Sequence, residues 1–116
     1  MTFEEFKDII EEKFPEVTAE QMDQFRRMEA LYRDWNSKIN VVSRKDIDEL
    51  YRHHVLHSLG IAAYLRNEMP DIYDRLRGEG PYALAEPFRI LDLGTGGGFP
   101  GIPLAVIFPH ASFTLC

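Results

Sequence analysis

The segment RILDLGTGGGFPGIPLA (89–105) contains the feature that most constrains the fold of this chain, which is four glycines in five positions. The residues before these glycines are mostly apolar and suit a short buried strand, which we predict over 89–93. Pro100 suits the first turn of a helix, predicted over 100–108, and the alternating segment 111–116 favours a second strand. The sequence therefore predicts a strand–loop–helix–strand crossover, in which the two strands are parallel.

A two-stranded parallel sheet is a small part of a fold, because parallel sheets are buried on both faces and usually contain several strands. We therefore expect an α/β protein of which this chain is the front portion. Within the 116 residues we predict mostly helix, in three parts. These are a helical N-terminal region (1–65), a connector (66–87) and the first β-α-β unit of a larger domain (88–116).

Two helix starts are visible in the N-terminal region. Thr2 with Glu5, and Thr18 with Gln21, have the spacing of a capping box, and an apolar stripe at helical spacing follows each pair. Pro15 separates the two helices. The sequence therefore predicts two successive amphipathic helices whose apolar faces form a core.

The middle of the chain has weaker signals. The segment 36–43 breaks the helical period, and its two valines predict a short extended piece. Asp46 is placed to start a third helix that reaches the histidines, and Ser58 is placed to cap a fourth. Within the connector we predict one helical turn over 72–76.

The composition excludes several classes of protein. The longest apolar stretches are shorter than the ~20 residues of a membrane span, and the acidic N-terminus is unlike a secretory signal. One cysteine fits a reducing cytoplasm, where we place the protein. A net charge of −6 disfavours nucleic-acid binding overall, although a local basic face remains compatible with it.

The glycine loop contains two overlapping patterns. Gly96, Gly98 and Gly101 satisfy the dinucleotide pattern G-x-G-x-x-G, which alone is weak. In the second pattern, Asp92 ends the strand ahead of Gly94. A carboxylate there would oppose a pyrophosphate, whereas it suits a cationic ligand. Asp92 therefore favours S-adenosylmethionine (SAM), which carries a sulfonium, and the lack of a following Gly-Lys-Ser/Thr excludes a P-loop.

The sequence ILDLGTGGGFPGIPLA resembles the first motif of class I SAM-dependent methyltransferases, and GFPGIPLA is most similar to the RsmG/GidB family of 16S rRNA guanine-N7 methyltransferases. Two upstream segments, WNSKINVVSRKD (35–46) and HHVLHSL (53–59), resemble elements of the same family. The resemblance implies a helical cap followed by a Rossmann-like SAM domain, truncated here after its second strand. It also implies a substrate in 16S rRNA or the small ribosomal subunit.

Carried over residue by residue, the resemblance implies that Gly94 and Phe99 contact SAM. Asp92 joins them on the cofactor side, with three loop-shaping residues, Thr95, Gly96 and Gly98. On the substrate side it implies four residues, Asn40, Arg44, His54 and Ser58. His57 stands where the family pattern commonly has Asp, and the acid expected to bind the ribose lies beyond Cys116.

Guanine N7 already carries a lone pair, so methyl transfer to it needs no catalytic base, and we predict none. We expect no membrane partner and a monomer at full length. We also expect no metal, because the helical pair His53 and His57 lacks further ligands at suitable spacing. Seven basic residues either line an RNA face or form a solvated helix surface, namely Arg26, Arg27, Arg33, Lys38, Arg44, Lys45 and Arg52. Two other functions stay open: a SAM-dependent methyltransferase of another substrate, and a non-catalytic helical module.

Overall fold

The computed structural model describes residues 1–83 and 86–116, which divide into two compact units, Met1–His57 and Ser58–Cys116. The described residues are mostly helical and include one two-stranded parallel sheet, as the sequence predicts. The α-helices are α1 (Phe3–Lys13), α2 (Ala19–Asn36), α3 (His57–Glu68), α4 (Pro70–Arg77) and α5 (Gly101–Ile107), and the strands are β1 (Arg89–Asp92) and β2 (Ser112–Leu115).

Both predicted capping boxes are present. The Thr2 hydroxyl accepts from the Glu5 amide at 3.1 Å, and the Glu5 carboxylate accepts from the Thr2 amide at 3.2 Å. Thr18 and Gln21 repeat this exchange at 3.1 and 2.7 Å. Each box satisfies two backbone groups that a helix end leaves without partners, so local sequence alone determines where α1 and α2 begin.

The core of the first unit is aromatic. The Phe6 ring lies 5.3 Å from the ring of Phe25 and 5.0 Å from that of Tyr51, and all three side chains are buried. The Tyr51 hydroxyl donates to the carbonyl oxygens of Phe25 and Arg26, at 2.8 and 3.0 Å. Burial raises the pKa of Tyr51 to about 12, because the tyrosinate anion would lose its hydration there.

The extended piece predicted around Val41 and Val42 is wrong. The Asn36 side-chain oxygen accepts from both of their amides, at 2.9 and 3.0 Å, and folds this segment into a turn after α2. Asparagine side chains often imitate a backbone turn in this way. Because Asn36 satisfies both amides locally, neither needs a neighbouring strand.

The capping role predicted for Ser58 is also wrong, because Ser58 lies within α3 and is buried. The third helix begins near Asp46 as predicted, but with a 3-10 turn (Ile47–Glu49) and a π-helical stretch (Leu50–Leu56). Helix α3 follows this stretch directly at His57, so no cap is required at Ser58. Asp46 itself makes no side-chain cap; its amide instead donates to the Ser43 hydroxyl at 3.1 Å.

Helix α4 in the second unit is longer than the single turn predicted within the connector. It begins at Pro70 and ends before Gly78, which adopts a left-handed φ of 68°. Proline at the first position and glycine after the last are the usual boundary residues of a helix. The ring of Tyr73 in α4 lies 5.7 Å from that of Phe108, which ties α4 to the end of α5. Residues 84 and 85 of the predicted connector lie outside the described residues.

Strands β1 and β2 pair in parallel, with Ile90 opposite Phe113 and Asp92 opposite Leu115. These four side chains are half-buried, whereas the alternate residues of both strands are exposed. The sheet therefore has one covered face. Helix α5 connects the strands and starts one residue after the predicted position, so the strand–loop–helix–strand order predicted from the sequence is confirmed.

Candidate functional site

The glycine loop lies at the carboxyl end of β1 and requires glycine at three positions. Gly94, Gly96 and Gly98 have φ values of 69°, 59° and 98°. These values fall in the left-handed region, where a β-carbon crowds the following carbonyl oxygen. The loop therefore makes turns that other residues would adopt only under strain.

Two of these glycines face open space. A β-carbon built on Gly94 or on Gly96 would meet no atom of another part of the chain within 4 Å. In open α/β sheets the carboxyl ends of parallel strands are where ligands bind. Both glycines thus expose bare backbone at the edge where a ligand is expected.

Hydrogen bonds to the residue that follows β2 fix the start of the loop. The amides of Gly94 and Thr95 both donate to the carbonyl oxygen of Cys116, at 2.8 and 3.1 Å. Further along, the amides of Gly98 and Phe99 donate to the Thr95 carbonyl oxygen at 3.0 and 3.2 Å. The loop is therefore attached to the neighbouring strand and closed by its own turn, so its open face is shaped in advance.

Asp92 connects the strand to the helix that follows the loop. Its Oδ2 atom accepts from the Gly101 amide at 3.0 Å. A β-carbon on Gly101 would lie 2.8 Å from that oxygen and 2.9 Å from Leu115 Cγ, both too close for a real side chain. Asp92 thus accepts a hydrogen bond at the start of α5, and Gly101 permits the close approach of helix and strand.

Thr95 and Phe99, the two other predicted cofactor-side residues, are half-buried. The Thr95 Oγ1 atom is buried and has no hydrogen-bond partner within the described part of the chain. A buried hydroxyl without a partner costs about 1–3 kcal/mol, and such atoms often mark a functional site. All six predicted cofactor-side residues lie within 92–99 of the second unit.

The predicted substrate-side residues differ in their solvent exposure. Asn40 and Arg44 are exposed, whereas Ser58 is buried in α3. His54 is half-buried, and its Nε2 lies 3.7 Å from Asp46 Oδ2. The structure brings His54 together with Asp46, an acid that sequence reasoning assigned to a helix start.

Asp46 also contacts a second histidine. Its Oδ1 lies 3.2 Å from His53 Nδ1. The hydrogen bond with His53, followed by that from Ser43, lowers the pKa of Asp46 below its ordinary value. Asp46 therefore stays ionised beside the two imidazoles.

Sequence reasoning gave no role to Gly101 and Asn36. The signal for Gly101 was present, because it is the third glycine of G-x-G-x-x-G, whose part is close packing of helix and strand. Asn36 was detectable only as a turn-forming residue after a long helix. The hydrogen bond of Gly101 fixes the end of the glycine loop. Those of Asn36 fix the turn that contains Asn40 and precedes Arg44.

The described residues contain no helix that is both long and apolar enough to cross a membrane. They also contain no group of three or more metal-ligating side chains placed to bind an ion.

The fold and the glycine loop define the second unit as a β-α-β unit of the parallel α/β class. The family model GidB, described as rRNA small subunit methyltransferase G, matches residues 20–116. The chain belongs to this GidB family.

Curated relatives carry the name Ribosomal RNA small subunit methyltransferase G. The one from Porphyromonas gingivalis is 53% identical over 93% of this chain and 41% of its own length. The one from Flavobacterium psychrophilum is 54% identical over 88% of this chain and 41% of its own length. The one from Bacteroides thetaiotaomicron is 49% identical, over 93% and 44% respectively. The chain thus spans about two fifths of the length of these relatives, and no solved structure matches it significantly.

Proposed function

We propose that this chain is part of an enzyme that transfers a methyl group from SAM to N7 of a guanine in 16S rRNA of the small ribosomal subunit. The observation that carries the proposal is the glycine loop, in which Gly94 and Gly96 present open, left-handed backbone at the carboxyl end of a parallel strand. Membership of the GidB family supports the choice of reaction.

In this proposal residues 88–116 form the opening of a Rossmann-like SAM domain, 1–65 a helical region and 66–87 a connector. The cofactor side consists of Asp92, Gly94, Thr95, Gly96, Gly98 and Phe99. The substrate side consists of Asn40, Arg44, His54 and Ser58. The whole protein works as a monomer in the cytoplasm.

The residues of the loop fit SAM. Open space beside Gly94 and Gly96 leaves room for a ligand against the backbone. Asp92 places a carboxylate at the strand end, where it favours a cationic ligand over a pyrophosphate, and its bond to Gly101 fixes the carboxylate's direction. The buried Thr95 hydroxyl offers a further polar atom without a partner among the described residues.

SAM would supply a methyl carbon activated by an adjacent sulfonium. Guanine N7 carries a lone pair and would accept the methyl group without deprotonation, while the electron pair of the broken carbon–sulfur bond would leave on sulfur. The chain therefore has to align the reacting atoms and exclude water rather than remove a proton. The loop residues 94–99 accordingly contain no titratable side chain. Because the sulfonium charge would disperse during transfer, fixed dipoles of the chain would stabilise the transition state more than an acid–base pair would.

Methyl transfer by the whole protein tests the proposal. Purified protein is incubated with small ribosomal subunits and SAM labelled in its methyl group, and chemical cleavage at N7-methylguanine locates the label. We expect label at one guanine N7 of the 16S rRNA. Matched reactions contain large subunits or transfer RNA. Label in those RNAs, or at another atom, would support a methyltransferase of another substrate, and no transfer with any RNA would support a non-catalytic module.

A further inference from the structure

We propose that the end of α2 and the turn after it form an RNA-contact surface, in which the Trp35 indole stacks on an unpaired base. We define the Trp35 surface by six residues, Trp35, Lys38, Ile39, Asn40, Arg44 and Lys45. The inference rests on the proposed rRNA substrate and adds the part of the chain that contacts it.

Charge is segregated in this part of the chain. The segment 35–45, WNSKINVVSRK, contains three cationic residues and no carboxylate, although the chain as a whole has a net charge of −6. Phosphate binding requires local positive potential, and the average charge of a protein hides such patches. The Trp35 surface is thus a basic region in an acidic chain.

An exposed aromatic ring lies within this basic region. Trp35 is 49% exposed and Ile39 is 59% exposed, so both present apolar surface beside the cations. The Lys38 ammonium lies 5.3 Å from the centre of the Trp35 ring. Aromatic rings combined with cations form the platform on which single-stranded nucleic acids stack their bases.

Ion pairs separate the basic residues of the first unit into two groups. Arg26 and Arg27 contact Asp23, Arg33 contacts Glu29 and Asp48, and Arg52 contacts Glu49. Arg44 and Lys45, in contrast, are exposed and make no ion pair with any described residue. Their charges are therefore available to a phosphate.

Lys38 is intermediate between the two groups. It lies 3.3 Å from Asp34, but both side chains are largely exposed. Exposed ion pairs contribute little free energy, so a phosphate can compete for this ammonium.

Hydrogen bonds fix the turn against the helix. Asn36 binds the amides of Val41 and Val42, the Ser37 hydroxyl donates to the Asp34 carbonyl oxygen at 2.6 Å, and Val42 is buried. Arg44 follows Val42 by two residues, which span at most about 7 Å. The cations after the turn are therefore attached close to the end of α2, and little backbone entropy is lost when they bind.

Trp35 is the single tryptophan of the chain, so its fluorescence reports on this surface alone. The chain is titrated with a single-stranded RNA of about 12 nucleotides, within the usual site size of such surfaces. We expect the RNA to quench the fluorescence, with an affinity that falls as salt rises. The salt slope is the slope of the logarithm of the binding constant against the logarithm of the salt concentration. The double variant Arg44→Ala/Lys45→Ala should reduce the magnitude of this slope by about one to two, since each phosphate contact with a single strand contributes about 0.7.

The control variant Arg26→Ala/Arg27→Ala removes the same charge from α2, eight to nine residues before Trp35 and therefore about 12–14 Å away along the helix. We expect its salt slope to match that of the wild type. Trp35→Ala, measured by anisotropy of labelled RNA and shown by circular dichroism to be folded, should bind about tenfold more weakly or worse. Absence of quenching, equal losses in the control, or equal quenching by polyglutamate would overturn the proposal.

Methyl transfer by the whole protein distinguishes this proposal from the one on which it rests. If Trp35→Ala leaves RNA binding and methylation unchanged, the Trp35 surface is wrong and the proposed function stands. If RNA quenches Trp35 but the whole protein methylates no RNA, the surface stands and the proposed function is wrong.

Discussion

Replacing Gly101 by alanine should destabilise the second unit, because the structure has no room for a β-carbon at this position. The new carbon would lie 2.8 Å from Asp92 Oδ2 and 2.9 Å from Leu115 Cγ. Either the start of α5 moves away from the sheet or the Asp92 hydrogen bond lengthens from 3.0 Å.

The size of the effect follows from these two contributions. Overpacking a close contact costs about 1–3 kcal/mol. A hydrogen bond to a charged group contributes about 1.5–3 kcal/mol. Because the Asp92 carboxylate is half-exposed, its contribution lies at the lower end of this range. Because either response relieves the close contact, we expect Gly101→Ala to lower the free energy of unfolding by about 1–3 kcal/mol.

Urea denaturation followed by circular dichroism measures this change, and Gly60→Ala provides the matched control. Gly60 lies inside α3, and a β-carbon there would meet nothing within 4 Å. The same substitution should therefore stabilise the chain, by up to about 1 kcal/mol, through helix propensity. If Gly101→Ala is as stable as the wild type, the close approach of α5 to Asp92 is not present in solution.

Three further predictions concern other parts of the chain. Tyr51→Phe removes two hydrogen bonds to α2. Urea denaturation should show that this lowers the free energy of unfolding by about 1 kcal/mol. In the wild type, the raised pKa of Tyr51 contributes stability that is present below the unfolded pKa of about 10 and is lost as the pH rises towards about 12. Phenylalanine does not ionise, so alkaline unfolding of Tyr51→Phe should begin at a higher pH than that of the wild type. Asn36→Ala should destabilise the chain by about 1 kcal/mol and speed hydrogen exchange at the Val41 and Val42 amides, which nuclear magnetic resonance detects. The 116-residue chain alone should bind SAM weakly and methylate no RNA, since the ribose-binding acid is expected ~20 residues past the loop; micromolar affinity by calorimetry would contradict this.

Features that depend on neighbouring residues could be predicted from the sequence. The capping boxes at Thr2 and Thr18 need only residues three positions apart, and both are present. The change from helical spacing to a short apolar run predicted β1, and the glycines after it predicted the loop. Boundary residues also marked α4, through Pro70 and Gly78, but the charged residues between them obscured it.

Features that depend on a particular side-chain contact, or on the conformation of the preceding segment, could not be predicted. Val41 and Val42 have strand propensity, yet the Asn36 side chain five and six residues earlier satisfies their amides. Ser58 resembles a cap in sequence, but the π-helical stretch before it removes the helix start that a cap would serve. At the candidate site, the contact between Asp92 and Gly101 joins residues nine positions apart and depends on how α5 packs on the sheet.

The central claim is that the glycine loop binds SAM, and a pair of calorimetric titrations of the whole protein tests it most directly. One variant is Gly94→Val and the other is Gly80→Val. Gly94 and Gly80 have left-handed φ values of 69° and 58°, and a β-carbon on either meets nothing within 4 Å. Valine should therefore strain the backbone similarly at both positions, by about 1–2 kcal/mol.

The two variants differ only in whether the new side chain points into the space assigned to SAM. We expect Gly94→Val to weaken SAM binding at least about tenfold, equivalent to about 1.4 kcal/mol, and Gly80→Val to leave it unchanged. Circular dichroism verifies that both variants are folded. Equal SAM affinity in the two folded variants would mean that the loop does not bind this cofactor.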